Sequence, residues 1–243
     1  MLNRITLALA ALTALVLFFI PPIHQDPNYH AFHGPQGPWS GIVWSNLPFA
    51  LAGLAGLYHW LKADWKPYND KAPWLLICLS GPLIAAGSAW YHLNPNNATL
   101  VWDRLPMTLA FMPLLAALFA PNLTIPLTIA GAATVIYWQQ SGDLRPYVMA
   151  QFFPMLVIPL KLLSRTLPYT QTHRLWQMIG LYVLAKVAEH FDEALLAVTN
   201  LSGHTWKHCF AALALYLPLR MLSERQPKTE TAPLAATMRI IDP

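Results

Sequence analysis

The sequence predicts an all-α integral membrane protein of about eight spans with both termini cytoplasmic. Three observations carry this. The 243 residues are 56% hydrophobic and only 11% charged, against roughly 25% charged in soluble proteins. The apolar residues gather in eight stretches near the roughly 20 residues that a helix needs to cross a bilayer. The Lys and Arg residues between those stretches fall almost wholly on one side. This composition excludes a soluble globular enzyme. The 22 prolines do not signal disorder, because ten Trp, ten Phe and nine Tyr supply far more apolar surface than an unfolded segment carries. A pI near 9 does not point to nucleic acid, since the basic residues lie between helices and never interleave with exposed aromatics. Cys78 and Cys209 sit in apolar stretches; two cysteines make neither a disulfide framework nor a thiolate zinc site and read as small core residues.

The spans are expected near 4–22, 41–61, 73–93, 101–120, 122–139, 147–164, 174–194 and 204–222. The first has Arg4 before its apolar run, as a signal peptide would. It closes on Phe18-Phe19-Ile20-Pro21-Pro22 with no small-residue cleavage pair, which predicts an uncleaved anchor over 1–24. Orientation follows from the loops. With the N-terminus inside, the inner side takes Arg4; Lys62, Lys66 and Lys71; Lys161, Arg165 and Arg174; and Arg220, Arg225, Lys228 and Arg239. The outer side takes only Arg104 and Arg145. Positive residues mark cytoplasmic loops, so both ends are expected inside. The polar, proline-bearing stretch 223–243 reads as a mobile cytoplasmic tail.

Ionisable side chains inside spans cost about 2.5–3.5 kcal/mol each on insertion scales, so they face the bundle interior and usually mark function. The third span ends in Gly87-Ser88-Ala89-Trp90-Tyr91-His92, and i, i+4 spacing stacks Ser88 and His92 on one face. Asp103 opens the fourth span, and His204 and His208 form a second i, i+4 pair at the start of the eighth. On the expected topology all five lie at one depth near the outer face.

Three imidazoles with an open fourth position match a catalytic zinc, which makes water acidic enough to ionise near neutral pH and polarises a carbonyl. Asp103 then reads as the general base and Ser88 as a hydrogen-bond donor to the developing oxyanion. The plainer reading is a hydrogen-bonded polar cluster in the core. With nine histidines in 243 residues, a chance i, i+4 pair is expected in about one such chain in three. His24, His30, His33 and His190 also lie toward the outer side as competing ligands.

Ser-x-x-x-His, an Asp eleven residues later and a late His-x-x-x-His resemble the alkaline ceramidase family, in the CREST superfamily of seven-helix membrane hydrolases. Ser45-Asn46-Leu47-Pro48-Phe49, Gly142-Asp143-Leu144-Arg145-Pro146-Tyr147 and Ser202-Gly203-His204 are similar to its bacterial alkaline-phytoceramidase-like members. The likeness covers 25–222. It implies a seven-helix hydrolase domain there, with the first span an addition. It also implies zinc on His92, His204 and His208, and cleavage of the amide of ceramide-like lipids to a fatty acid and a sphingoid base at the outer face of a bacterial inner membrane. The same superfamily contains adiponectin and progestin receptors with similar zinc residues, so a lipid receptor with structural zinc is the alternative. Animal members carry an acidic calcium site before the first core helix. Here Asp26–Ser40 holds one carboxylate, Asp26, too few for a calcium cage. Lys207 stands where animal members tend to carry an aromatic residue.

Four further residues have possible roles beside the metal or substrate. Glu189 or Asp192 is a candidate to accept the free N–H of a ligating histidine, although Lys186 with Glu189 or His190 also reads as an intrahelical ion pair. Lys207 adjoins the ligands. Arg145 offers a bidentate site for a lipid phosphate or carboxylate, although an Arg there more often caps a turn or sits among headgroups. Trp39, Trp44, Trp90 and Trp102 read as an interfacial belt. Ser88 as an acyl nucleophile is the rival mechanism, disfavoured because His92 is committed to the metal. A proton-relay transporter fits poorly, since the inner half of the bundle is almost free of polar residues.

Overall fold

Apolar runs become helices because lipid offers no partner to a backbone N–H or C=O, and a helix satisfies both internally. A computed structural model of the chain describes residues 2–228. These form helices α1 (Leu2–Phe19), α2 (Gly41–Trp44), α3 (Leu47–Lys62), α4 (Lys71–Leu93), α5 (Asn97–Phe119), α6 (Thr124–Ser141), α7 (Arg145–Leu163), α8 (His173–His190), α9 (Asp192–Thr199) and α10 (Gly203–Glu224). Among the described residues the only β pairing is an isolated bridge between Tyr169 and Pro227. Each expected span contains a long helix. Four helical stretches are long and apolar enough to cross a membrane: Gly41–Lys62, Lys71–Leu93, Asn97–Phe119 and Arg145–Leu163. Lys186 and Glu189 in α8, and Lys207, Arg220 and Glu224 in α10, dilute the apolar character of those two helices. Prolines stand inside α4, α5, α7 and α10, as packed membrane helices tolerate.

The seventh expected span is broken. Its 174–194 run ends as helix at His190, turns at Phe191 and restarts as α9. At the turn Asp192 uses its carboxylate elsewhere, accepting the backbone N–H of His204 at 2.7 Å and that of His33 at 3.3 Å.

In the bundle α4 packs between α3 and α5, α10 against α3 and α8, α5 against α6 and α7, and α1 against α7. Two glycines let backbones touch where it matters. A Cβ at Gly87 would collide with the Trp102 carbonyl, so α4 meets α5 beside Ser88 and Asp103. A Cβ at Gly203 would collide with the Ala188 carbonyl, so the start of α10 is pressed against α8 beside His204. The turn between α4 and α5 is held by Asn96, whose Oδ1 accepts from the N–H groups of Ala98 and Thr99 at 2.9 and 3.1 Å. Thr99 Oγ1 accepts in return from the Asn96 N–H at 3.2 Å, which completes a capping box.

Away from that end, Trp74, Ile77, Ile158, Leu175, Leu219 and Leu222 are fully buried together. Beside them Arg225 donates to both oxygens of Asp70, at 2.7 and 2.8 Å, and the Trp74 indole N–H adds a third bond at 2.9 Å. Residues 223–228, expected to begin the mobile tail, are instead held. Arg225 is buried, the Thr170 N–H donates to the Gln226 carbonyl at 2.9 Å, and the Lys228 N–H donates to the Pro168 carbonyl at 2.9 Å. The rest of that stretch, 229–243, lies outside the described residues.

Candidate metal centre

His92 ends α4, while His204 and His208 share one face at the start of α10. The three rings meet with centroids 4.8–5.0 Å apart, His204 edge to face with each of the others and His92 tilted against His208. Each offers a ring nitrogen, and these lie within 4.8 Å of one another. All three side chains are buried, and Phe32 covers His92 and His204 at 4.6 and 4.8 Å between ring centroids. Of the competing histidines, His30 is engaged by the Tyr91 hydroxyl and Asn97 Oδ1, each at 3.0 Å, and His24, His33 and His190 are exposed.

Ser45, ahead of α3, lies between His208 and its own helix. The Ser45 hydroxyl donates to the Ile42 carbonyl at 3.1 Å, and its oxygen stands 2.8 Å from His208 Nδ1. His204 meets a cation. Lys207 Nζ lies 2.7 Å from His204 Nε2 and donates to Glu189 Oε1 at 2.9 Å, while Lys186 pairs with the other Glu189 oxygen.

These residues fit a divalent metal. Three neutral nitrogen donors converge in a buried place, and Nδ1 of His92 is buried there without a hydrogen-bond partner. The donor set is the one zinc favours in open sites. The Lys207 ammonium would have to leave the His204 ring for that nitrogen to serve, and Glu189 is in place to hold it.

His208, Ser88, Asp103, Lys207 and Glu189 all line one cavity of about 300 Å³. Its remaining wall is mainly apolar, with Phe49, Ile77, Ile84, Met107, Phe111 and Leu215 among the side chains. Ser88 is buried, and it lines the cavity together with the half-buried Asp103. One end of the cavity is therefore polar and reactive in character, and the rest is shaped for hydrocarbon.

Two expected supporting roles are corrected. Neither Glu189 nor Asp192 accepts from an imidazole: Glu189 neutralises Lys186 and Lys207, and Asp192 caps α10. Arg145 stays outside the cavity. Its Nη1 donates to the carbonyls of Leu17, Phe18 and Ile20 at the end of α1, and its Nε and Nη2 pair with Asp143. That capping uses the donors a lipid anion would need. Arg145 in turn holds the Asp143 carboxyl below the usual carboxylate range through these hydrogen bonds.

Ser45 and Phe32 were not expected at the site. Ser45 lies in the Ser-Asn-Leu-Pro-Phe string, at the end of its span expected to share the depth of the histidines, so the expected topology alone could have found it. Phe32 sits in a connection without helical periodicity, where no pattern gives a direction. No protein-family model, curated protein or solved structure matches the chain.

Proposed function

We propose that the chain is an eight-span, zinc-dependent amidohydrolase of ceramide-like N-acyl lipids, with its site toward the outer face of a bacterial inner membrane and both termini cytoplasmic. The observation that carries this reading is the cavity itself. One member of a buried three-histidine group, His208, lines a mainly apolar chamber together with Ser88 and Asp103. A lipid amide presents that same pairing of hydrocarbon and one polar bond.

His92, His204 and His208 would hold the metal, which supplies Lewis acidity toward a carbonyl and makes water more acidic. Phe49, Ile77, Ile84 and Phe111 pack the acyl chain and exclude bulk water. Asp103 takes a proton from the attacking water as its oxygen bonds to the amide carbon. Ser88 donates to the carbonyl oxygen as negative charge gathers there. Asp103 then returns the proton to the departing nitrogen, the C–N bond breaks, and a fatty acid and an amine result.

Elemental analysis of detergent-purified protein should find about one zinc per chain, lost on changing His92, His204 or His208 to Ala. Labelled ceramide should release fatty acid, and a chelator should stop it. Full zinc in all three variants, or no release from any N-acyl lipid by zinc-loaded protein, refutes the reading. Cysteines placed at Asn96 or Asn97 should label from outside the cell; labelling only from the cytoplasm inverts the topology.

A further inference from the structure

Two arginines in this bundle are buried in aromatic cages. Arg225 lies over Tyr68, Trp65 and Tyr169 at 4.0, 4.9 and 4.9 Å, with its charge met by both oxygens of Asp70. Arg104 has the same kind of cage, over Trp138, Tyr147 and Tyr29 at 4.1, 4.9 and 5.5 Å, and is 95% buried, with 5% of its surface exposed. Its charge is met differently. Nη2 donates to the neutral Gln25 Oε1 at 2.6 Å, Nη1 is buried without a partner, and no carboxylate lies within ion-pairing distance among the described residues.

A buried guanidinium is strongly disfavoured unless an anion compensates it, and aromatic faces compensate only in part. Arg104 also lines the cavity that holds Ser88, Asp103 and His208. The charged side chains of that wall are Arg104, Lys186 and Lys207 against Asp103 and Glu189, an excess of one positive charge. Glu189 serves both lysines, and neither carboxylate of the wall pairs with Arg104.

We propose that Arg104 is the recognition point for an oxyanion on the lipid that enters this cavity. The preferred substrate is then an N-acyl lipid whose amine side carries a carboxylate or a phosphate, rather than a neutral ceramide. The inference deepens the proposed function and rests on it for the acyl chain and the amide. A charge-assisted bond to a desolvated oxyanion gives specificity that the apolar wall cannot, since that wall accepts any hydrocarbon chain.

The test uses three lipids with one acyl chain: N-hexadecanoylglycine, N-hexadecanoylethanolamine phosphate and neutral N-hexadecanoylethanolamine. Their binding to the full-length protein is measured in non-ionic detergent, with hydrolysis followed separately. Wild-type protein should bind at least one of the anionic lipids about ten- to hundred-fold more tightly than the neutral one, the usual worth of a hydrogen bond to a charged group. Which anion wins identifies the headgroup. Arg104→Met, which keeps length and apolar packing, should abolish the preference while leaving binding of the neutral lipid within a few-fold. Arg104→Lys should retain part of it. Equal binding of all three lipids by wild type overturns the proposal whatever the variants do, and so does an undiminished preference in Arg104→Met. Anion preference without hydrolysis would refute the hydrolase reading and leave the Arg104 site standing. Hydrolysis without preference would do the reverse.

Discussion

The hydroxyl oxygen of Ser45 lies 2.8 Å from Nδ1 of His208, across from the carbonyl of Ile42 that takes the serine's own proton. While the serine proton stays on Ile42, Ser45 accepts from a hydrogen on His208 Nδ1, and this tautomer keeps the lone pair on Nε2 that a metal would use. An outer partner of this kind orients a ligand and is typically worth 10–100-fold in metal affinity.

Ser45→Ala should therefore lower zinc affinity by about 10–100-fold while the bundle stays folded. Competition against a chelator of known affinity measures it. Unchanged affinity would mean that the tautomer of His208 is set by something else.

In the proposed mechanism Asp103 handles protons and does not hold the metal. Asp103→Asn keeps its size and should keep zinc and fold, but lose about 10²–10⁴ in lipid hydrolysis. Ser88→Ala should cost about 10²–10³ without abolishing turnover, as loss of a nucleophile would. Single-turnover rates with zinc content measured on the same samples separate these effects. An Asp103→Asn variant as fast as wild type would eliminate the proposed base.

Lys207 brings a positive charge within 2.7 Å of a nitrogen that a metal would use. Like charge and direct competition both oppose metal binding. Lys207→Met should raise zinc affinity by about ten-fold or more, with Glu189 still neutralised by Lys186. Weaker binding in that variant would show that the lysine supports the ligand instead of competing for it.

Asp143 fastens Arg145, which fastens the end of α1. Its folded pKa is depressed by the Arg145 hydrogen bonds, so it stabilises the fold fully above the unfolded value of about 3.9 and loses that effect as pH falls through the folded value. Thermal unfolding of wild type and Asp143→Asn should differ most near neutral pH and converge progressively below about pH 4. A difference that persists undiminished at pH 3 would assign the effect to packing.

Much of the bundle was readable because the signals are local. An apolar run of span length becomes a helix, and His204 with His208 share a face by spacing alone. Adding the depth of each span brought His92, Ser88 and Asp103 to the same end. The misreadings came from distant partners. Arg145 was read mainly as a cap, but nothing near it in sequence reveals that the carbonyls it caps belong to α1. Asp192 was a candidate partner of an imidazole, and only the close approach at Gly203 brings it to the His204 backbone instead. The tail after 222 looked free because Asp70, which holds Arg225, lies far back in the chain.

The last helix is held at both ends, by the histidine group where it begins and by the Asp70–Arg225 pair where it stops. It also follows every other described helix in the chain. His92 and Asp70 are made long before their counterparts, so the three-histidine group and the far-end lock form only once α10 has been synthesised and inserted. Products truncated before Arg225 should lack the lock, and those truncated before His204 both features. Such products would leave the Asp70 carboxylate without its cation, a defect that membrane quality-control proteases can act upon.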